Sequence, residues 1–135
     1  MVRIASLAVL LCAAVVTVKG DVCATHANGC SIPFGWTFFY KTLFTTACNR
    51  HDVCYGCGAT HGLSKASCDS AFLRDMDAAC HASGRRRSIQ QRSVCTTTAQ
   101  DVYYAAVHYF GSSHFSGPGH TASYCSQSWV RSCLP

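Results

Sequence analysis

His51 and Asp52 stand side by side within Cys48-Asn49-Arg50-His51-Asp52-Val53-Cys54-Tyr55. Imidazole is the side chain whose ordinary pKa lets it take and return protons near neutrality. A carboxylate oxygen is a hard ligand suited to calcium, a cation abundant outside cells. Water activated by a histidine beside a divalent cation, which stabilises an oxyanion as a Lewis acid, is chemistry suited to ester hydrolysis.

Such chemistry needs elements that hold these groups still. Phe44, Ala47, Cys48, His51, Cys54 and Tyr55 recur at three- and four-residue steps, the pattern of one helix face, so a helix is predicted over about 44–55 with Gly56 and Gly58 stopping it. A second helix starts at Ser64 as N-cap and carries Cys68, Asp69, Phe72, Leu73, Met76, Ala79 and Cys80 on one stripe, with Asp75 and Asp77 off its centre. Asp69 is therefore an acid on an apolar face, which is costly unless the carboxylate is paired. Packing the two helices side by side gives it His51. The expectation is that Asp69 accepts the Nδ1 proton of His51 and leaves Nε2 as the base, with the Tyr55 hydroxyl, one turn beyond, reaching the same carboxylate. Asp52 lies about 100 degrees around the helix, turned to a different partner. The polar, glycine-containing loop over 21–35 could add carbonyl oxygens to it.

A third helix is expected from Thr98, capped with Asp101, through Ala99 to Phe110, with Val102, Tyr103, Ala106, Val107 and Phe110 buried and Gly111 at its end. Thr37-Phe38-Phe39-Tyr40 fits no single element. The stretch from Gly111 to Pro135 is rich in Ser, Gly and His and reads as irregular structure tied down by Cys125 and Cys133. His26, His61, His81, His108, His114 and His120 show no partner pattern and read as surface or packing residues. Trp36, Phe38, Phe39 and Trp129 fit either core packing or contact with a lipid surface.

The context is secretory. Arg3 precedes an uncharged apolar run from Ile4 to Val18, then Lys19-Gly20, so residues 1–20 read as a signal peptide, an uncleaved anchor being the alternative. Of 11 cysteines, Cys12 lies in that segment, leaving ten, an even number that implies a disulfide framework in one small exported domain. Zinc at Cys54 and Cys57 is the weaker alternative, since it suits a reducing compartment. The net charge of +5 resides in Arg3, Lys19 and the triplet Arg85-Arg86-Arg87, so it argues for neither nucleic acid nor a polybasic membrane patch.

Gly84-Arg85-Arg86-Arg87-Ser88 resembles a proprotein-convertase site, the alternative being a solvated loop. Cleavage there, with residues 84–87 excised or retained, would give an N-terminal chain over 21–83 and a C-terminal chain over 88–135 held by disulfides, because seven cysteines precede the triplet and three follow it.

Cys48-x-x-His51-Asp52-x-Cys54-Tyr55 resembles the catalytic-helix motif of secreted phospholipases A2. A narrower resemblance, to bacterial and fungal phospholipases A2 and the cone-snail conodipines, rests on several ordered segments. These are Pro33-Phe34-Gly35, Thr46-Ala47-Cys48-Asn49-Arg50-His51-Asp52, Asp69-Ser70-Ala71-Phe72 with Asp75-Met76, and Tyr104-Ala105-Ala106-Val107 ahead of Phe110-Gly111. The resemblance implies a mainly α, disulfide-rich phospholipase A2-like fold in which two antiparallel helices carry the catalytic dyad. It implies His51 as general base, Asp69 as its orienting acid, Tyr55 as support, and Asp52 as a ligand for Ca2+.

Bacterial and fungal relatives add an acid and a backbone carbonyl just before a cysteine, and the corresponding residues here are Asn28 and Gly29, with Asp21 of Asp21-Val22-Cys23 as the alternative. The implied reaction is calcium-dependent hydrolysis of the sn-2 ester of glycerophospholipids at a membrane surface. The resemblance further implies a secreted venom component, a precursor cut into two linked chains, and no nucleic-acid partner. A non-enzymatic toxin on the same scaffold, binding an ion channel or receptor, is the rival expectation, and a disulfide-rich structural module a third.

Overall fold

The computed structural model describes residues 20–31, 39–83 and 88–135. Residues 1–19 of the proposed signal peptide, residues 32–38, and the basic triplet with the glycine before it lie outside the described residues. Two helices dominate: α1 over Lys41–Cys57 and α2 over Lys65–Ser83. Contacts between them run in opposite senses, Cys54 meeting Cys68, His51 meeting Asp69 and Arg50 meeting Asp75, so the pair is antiparallel. Phe44, Ala47 and Cys48 of α1 interlock with Phe72, Met76 and Cys80 of α2, and Phe44 and Met76 are completely buried.

Local sequence explains the ends. Ser64 caps α2 as expected, its hydroxyl accepting from the Ser67 N–H at 3.1 Å. α1 does not stop at Gly56, which lies inside it; the chain leaves at Gly58 into a 3-10 turn over Gly58–His61, and Gly62, at φ 74°, supplies the left-handed residue that turns it toward α2. α1 itself starts from Tyr40 at φ 67°, a positive value unusual for a bulky residue.

The third helix corrects the sequence expectation. It begins nine residues before Thr98, as α3 over Ile89–Thr98, opened by Ser88 and Gln91 in a reciprocal capping box. Among the residues of α3 only Cys95 is buried, so the segment shows no apolar stripe; its cap and the Cys80–Cys95 bridge hold it. Thr98 is internal, with its hydroxyl donating to the Val94 carbonyl. The helix then widens into a π-helix over Ala99–Tyr104 and tightens into α4 over Ala105–Phe110. Each π turn takes one residue more than an α turn, which rotates the face that follows. Tyr103 is buried edge-on against Phe44, Val102 and Val107 pack on the core margin, and Phe110, expected inside, is 71% exposed.

The tail is irregular as expected: 3-10 turns over Gly111–His114, Ser123–Ser126 and Ser128–Ser132, the last two anchored by Cys57–Cys125 and Cys23–Cys133. With Cys30–Cys48, Cys54–Cys68 and Cys80–Cys95, these bridges pair all ten cysteines beyond Cys12. Cys54 and Cys57 are therefore disulfide partners of other residues, and the zinc alternative falls. Among the described residues no helix is long and apolar enough to cross a membrane.

Candidate active site

The site lies where α1 faces α2. His51 and Asp69 are 6% and 1% exposed, and the carboxylate gathers donors from three side chains. Its Oδ1 accepts from His51 Nε2 at 2.9 Å and from the Tyr55 hydroxyl at 2.6 Å, while Oδ2 accepts from Lys65 Nζ at 2.6 Å. Burial alone would raise the Asp69 carboxyl. The hydrogen bonds from His51, Lys65 and Tyr55, and the charge of Lys65, outweigh it and hold the group below the usual carboxylate range. An ionised carboxylate can only accept, so His51 carries its proton on Nε2 and keeps Nδ1 as the basic nitrogen. The sequence expectation had these nitrogens reversed. The short Asp69 side chain, reaching across from the neighbouring helix, meets the end of the ring farthest from the α1 backbone.

Packing fixes the ring. Tyr55 lies 4.0 Å from His51 between ring centroids, and Phe72 stacks on it at 4.6 Å. Burial and the Asp69 charge push the Tyr55 hydroxyl far above its ordinary pKa, so it remains a donor. Arg50 pairs with Asp75 at 3.2 Å and donates to the Ser132 carbonyl, which holds the tail beside a small cleft that His51 borders.

Asp52 points elsewhere, as its place around the helix requires. Its Oδ2 accepts from the backbone N–H of Asn28 at 3.1 Å, which sets the Asn28-Gly29 loop against it. Gly29 has φ 70°, and its carbonyl accepts from the Ser31 N–H. Burial raises the Asp52 carboxyl despite that N–H and the neighbouring His51. Among the described residues no basic side chain pairs with Asp52 and no hydrogen bond reaches its Oδ1. A half-buried carboxylate oxygen beside a loop of neutral carbonyls fits a hard cation. Asp21 is committed otherwise: it caps the 3-10 turn over Val22–His26 through the Cys23 N–H and accepts from Asn49 Nδ2 at 3.0 Å. Among the described residues no group of three or more His, Cys, Asp or Glu could hold a metal ion, so any site here leans on backbone and amide oxygens.

Lys65 was missed by the sequence reading. Its signal was available: it precedes Asp69 by four residues on α2, one turn away on the same face. Trp129 stacks with His26 and Tyr124 against the second cluster of buried residues, so packing is its role, and His61 bonds the Cys125 carbonyl at 3.0 Å.

Two cross-linked antiparallel helices that set a histidine of one against a buried carboxylate of the other fit an enzyme of the phospholipase A2 class. The chain belongs to the prokaryotic phospholipase A2 family, whose sequence model matches residues 12–111. It is similar to the conodipine-M alpha chain of Conus magus, with 45% identity over 60 residues, 44% of this chain and 77% of that one. Conodipine-P3 and conodipine-P2 of Conus purpurascens are 45% and 43% identical over 60 residues, again 44% of this chain but 33% of their own lengths. No solved structure matches the chain.

Proposed function

We propose that the chain is a secreted, calcium-dependent phospholipase A2 that hydrolyses the sn-2 ester of glycerophospholipids at a membrane surface, releasing fatty acid and lysophospholipid as a venom component. The observation that carries this reading is the buried Asp69 carboxylate bonded to His51 Nε2 at 2.9 Å, which leaves Nδ1 as the base.

His51 Nδ1 takes a proton from water as its oxygen attacks the ester carbonyl. Asp69 stabilises the imidazolium that forms, and Tyr55 keeps the carboxylate from turning away. When the tetrahedral intermediate collapses, the same imidazolium protonates the departing alkoxide. Asp52, with oxygens of Asn28 and Gly29, would hold calcium, which when bound supplies Lewis-acid stabilisation of the oxyanion. Fatty-acid release from phospholipid vesicles, with calcium and with chelator, tests the reading. Wild type should be active only with calcium and His51→Gln inactive in both; equal rates in the two proteins would end the proposal.

We also propose processing at the arginine triplet into chains over 21–83 and 88–135. Cys23–Cys133, Cys57–Cys125 and Cys80–Cys95 all cross that point and would keep the product together.

A further inference from the structure

Lys65 Nζ meets three acceptors: Asp69 Oδ2 at 2.6 Å, the Val107 carbonyl at 2.9 Å and the His108 carbonyl at 3.3 Å. An ammonium has three donors and no acceptor, so every donor finds a partner. The side chain is 21% exposed, and Nζ lies 5.9 Å from the centre of the Tyr55 ring. An ordinary surface pair at this helical spacing swings in water and contributes little. Lys65 is instead held from three sides.

The two carbonyls belong to α4, over Ala105–Phe110, near the end of the helical run. The Val107 carbonyl already accepts from the Gly111 N–H, so Lys65 takes its second lone pair, and carbonyls near a helix C-terminus carry the negative end of the dipole, a favourable place for a cation. Asp69 supplies the opposing charge. Without the ammonium, its Oδ2 would lose its bond, and α2 would lose its polar tie to α4.

We propose that Lys65 is a positioning residue: it clamps Asp69 to the end of α4, so that the carboxylate holds His51 in one orientation. Lys65 acts through Asp69 and touches neither nucleophile nor ester. The inference rests on the proposed hydrolysis for its kinetic effect, but the clamp itself can be read without turnover.

Lys65→Met keeps the stem and removes the donors, whereas Lys65→Arg keeps charge and donors in a planar fork. Folded Lys65→Met should lose about tenfold or more in kcat with KM within about twofold of wild type, the signature of a lost transition-state contribution. Lys65→Arg should recover most of that loss. The Nε2 proton of His51, assigned in the proton NMR spectrum by its disappearance in His51→Gln, should shift or broaden in Lys65→Met and be kept in Lys65→Arg. If Lys65→Met does not fold, Lys65→Gln, which retains amide donors, takes both measurements. An inactive wild type would overturn the proposed reaction and leave the NMR measurement to decide the clamp. A folded variant without the ammonium that keeps both wild-type kcat and the wild-type His51 signal overturns the inference.

Discussion

Gly111 lies so close to the Tyr55 ring that a Cβ on it would collide with the hydroxyl that donates to Asp69. Its backbone is right-handed, at φ -79°, so space rather than conformation calls for glycine. Gly111→Ala should push Tyr55 off Asp69, destabilise the fold by about 1–3 kcal/mol as an overpacked contact does, and reduce activity at least as much as Tyr55→Phe. Thermal melts and vesicle assays on both variants check this, and a Gly111→Ala protein with wild-type values in both would contradict it.

Asp69 is expected to dominate the acid limb of stability. Its folded pKa is lowered, despite burial, by its bonds to His51, Lys65 and Tyr55. The resulting stability is fully present above the unfolded value of about 3.9 and is lost as pH falls through the still lower folded value. The gap in melting temperature between wild type and Asp69→Asn should be wide at neutral pH and close in strong acid. A gap constant down the acid range would show that ionisation of Asp69 is not its source.

Catalysis should depend on the same carboxylate through His51. Asp69→Asn releases the ring from a single tautomer, and kcat should fall by roughly a hundredfold to ten-thousandfold, the usual scale of a positioned base. His51→Gln should fall as far, and the double variant scarcely further, because the two act as a unit. Additive losses would mean that they act separately.

Asp52 is expected to set the response to calcium. Burial penalises its charge, so in chelator Asp52→Asn should melt no lower than wild type. Added calcium should then raise the melting temperature of wild type alone, by mass action on the folded state. Equal calcium shifts in the two proteins would place the ion elsewhere.

Mass spectrometry of the natural secreted product should find one mass before reduction and two after it. The chain ends should fall at the triplet around Arg85-Arg86-Arg87. An unbroken chain after reduction would remove the processing proposal.

Much of the site was legible because helical spacing puts residues on faces whatever the wider fold. His51, Tyr55 and the stranded acid Asp69 follow from that spacing, and so does the separate direction of Asp52. The ring nitrogen that meets Asp69 was not legible, since it depends on how far apart two helix axes lie. The start of α3 was hidden for another reason: a segment burying only Cys95 carries no periodic signal, and its capping box at Ser88 and Gln91 was the clue available. Phe110 was misplaced because a π-helix breaks the period on which its burial was inferred. Asn28 was set beside Asp52 by the resemblance alone, since no helical spacing links residues 24 positions apart.

The bridge between Cys23 and Cys133, 110 positions apart, gives the covalent skeleton a further property. Backbone and bridge together form a closed circuit through both main helices and the tail. A cut at the triplet opens that circuit at one point, as a ring is opened to make a chain, and divides nothing. In covalent terms a protein processed as proposed would be a circular permutant: its continuous path would run from Ser88 to Cys133, cross to Cys23, and follow α1 and α2 to Ser83, with the candidate active site in its second half.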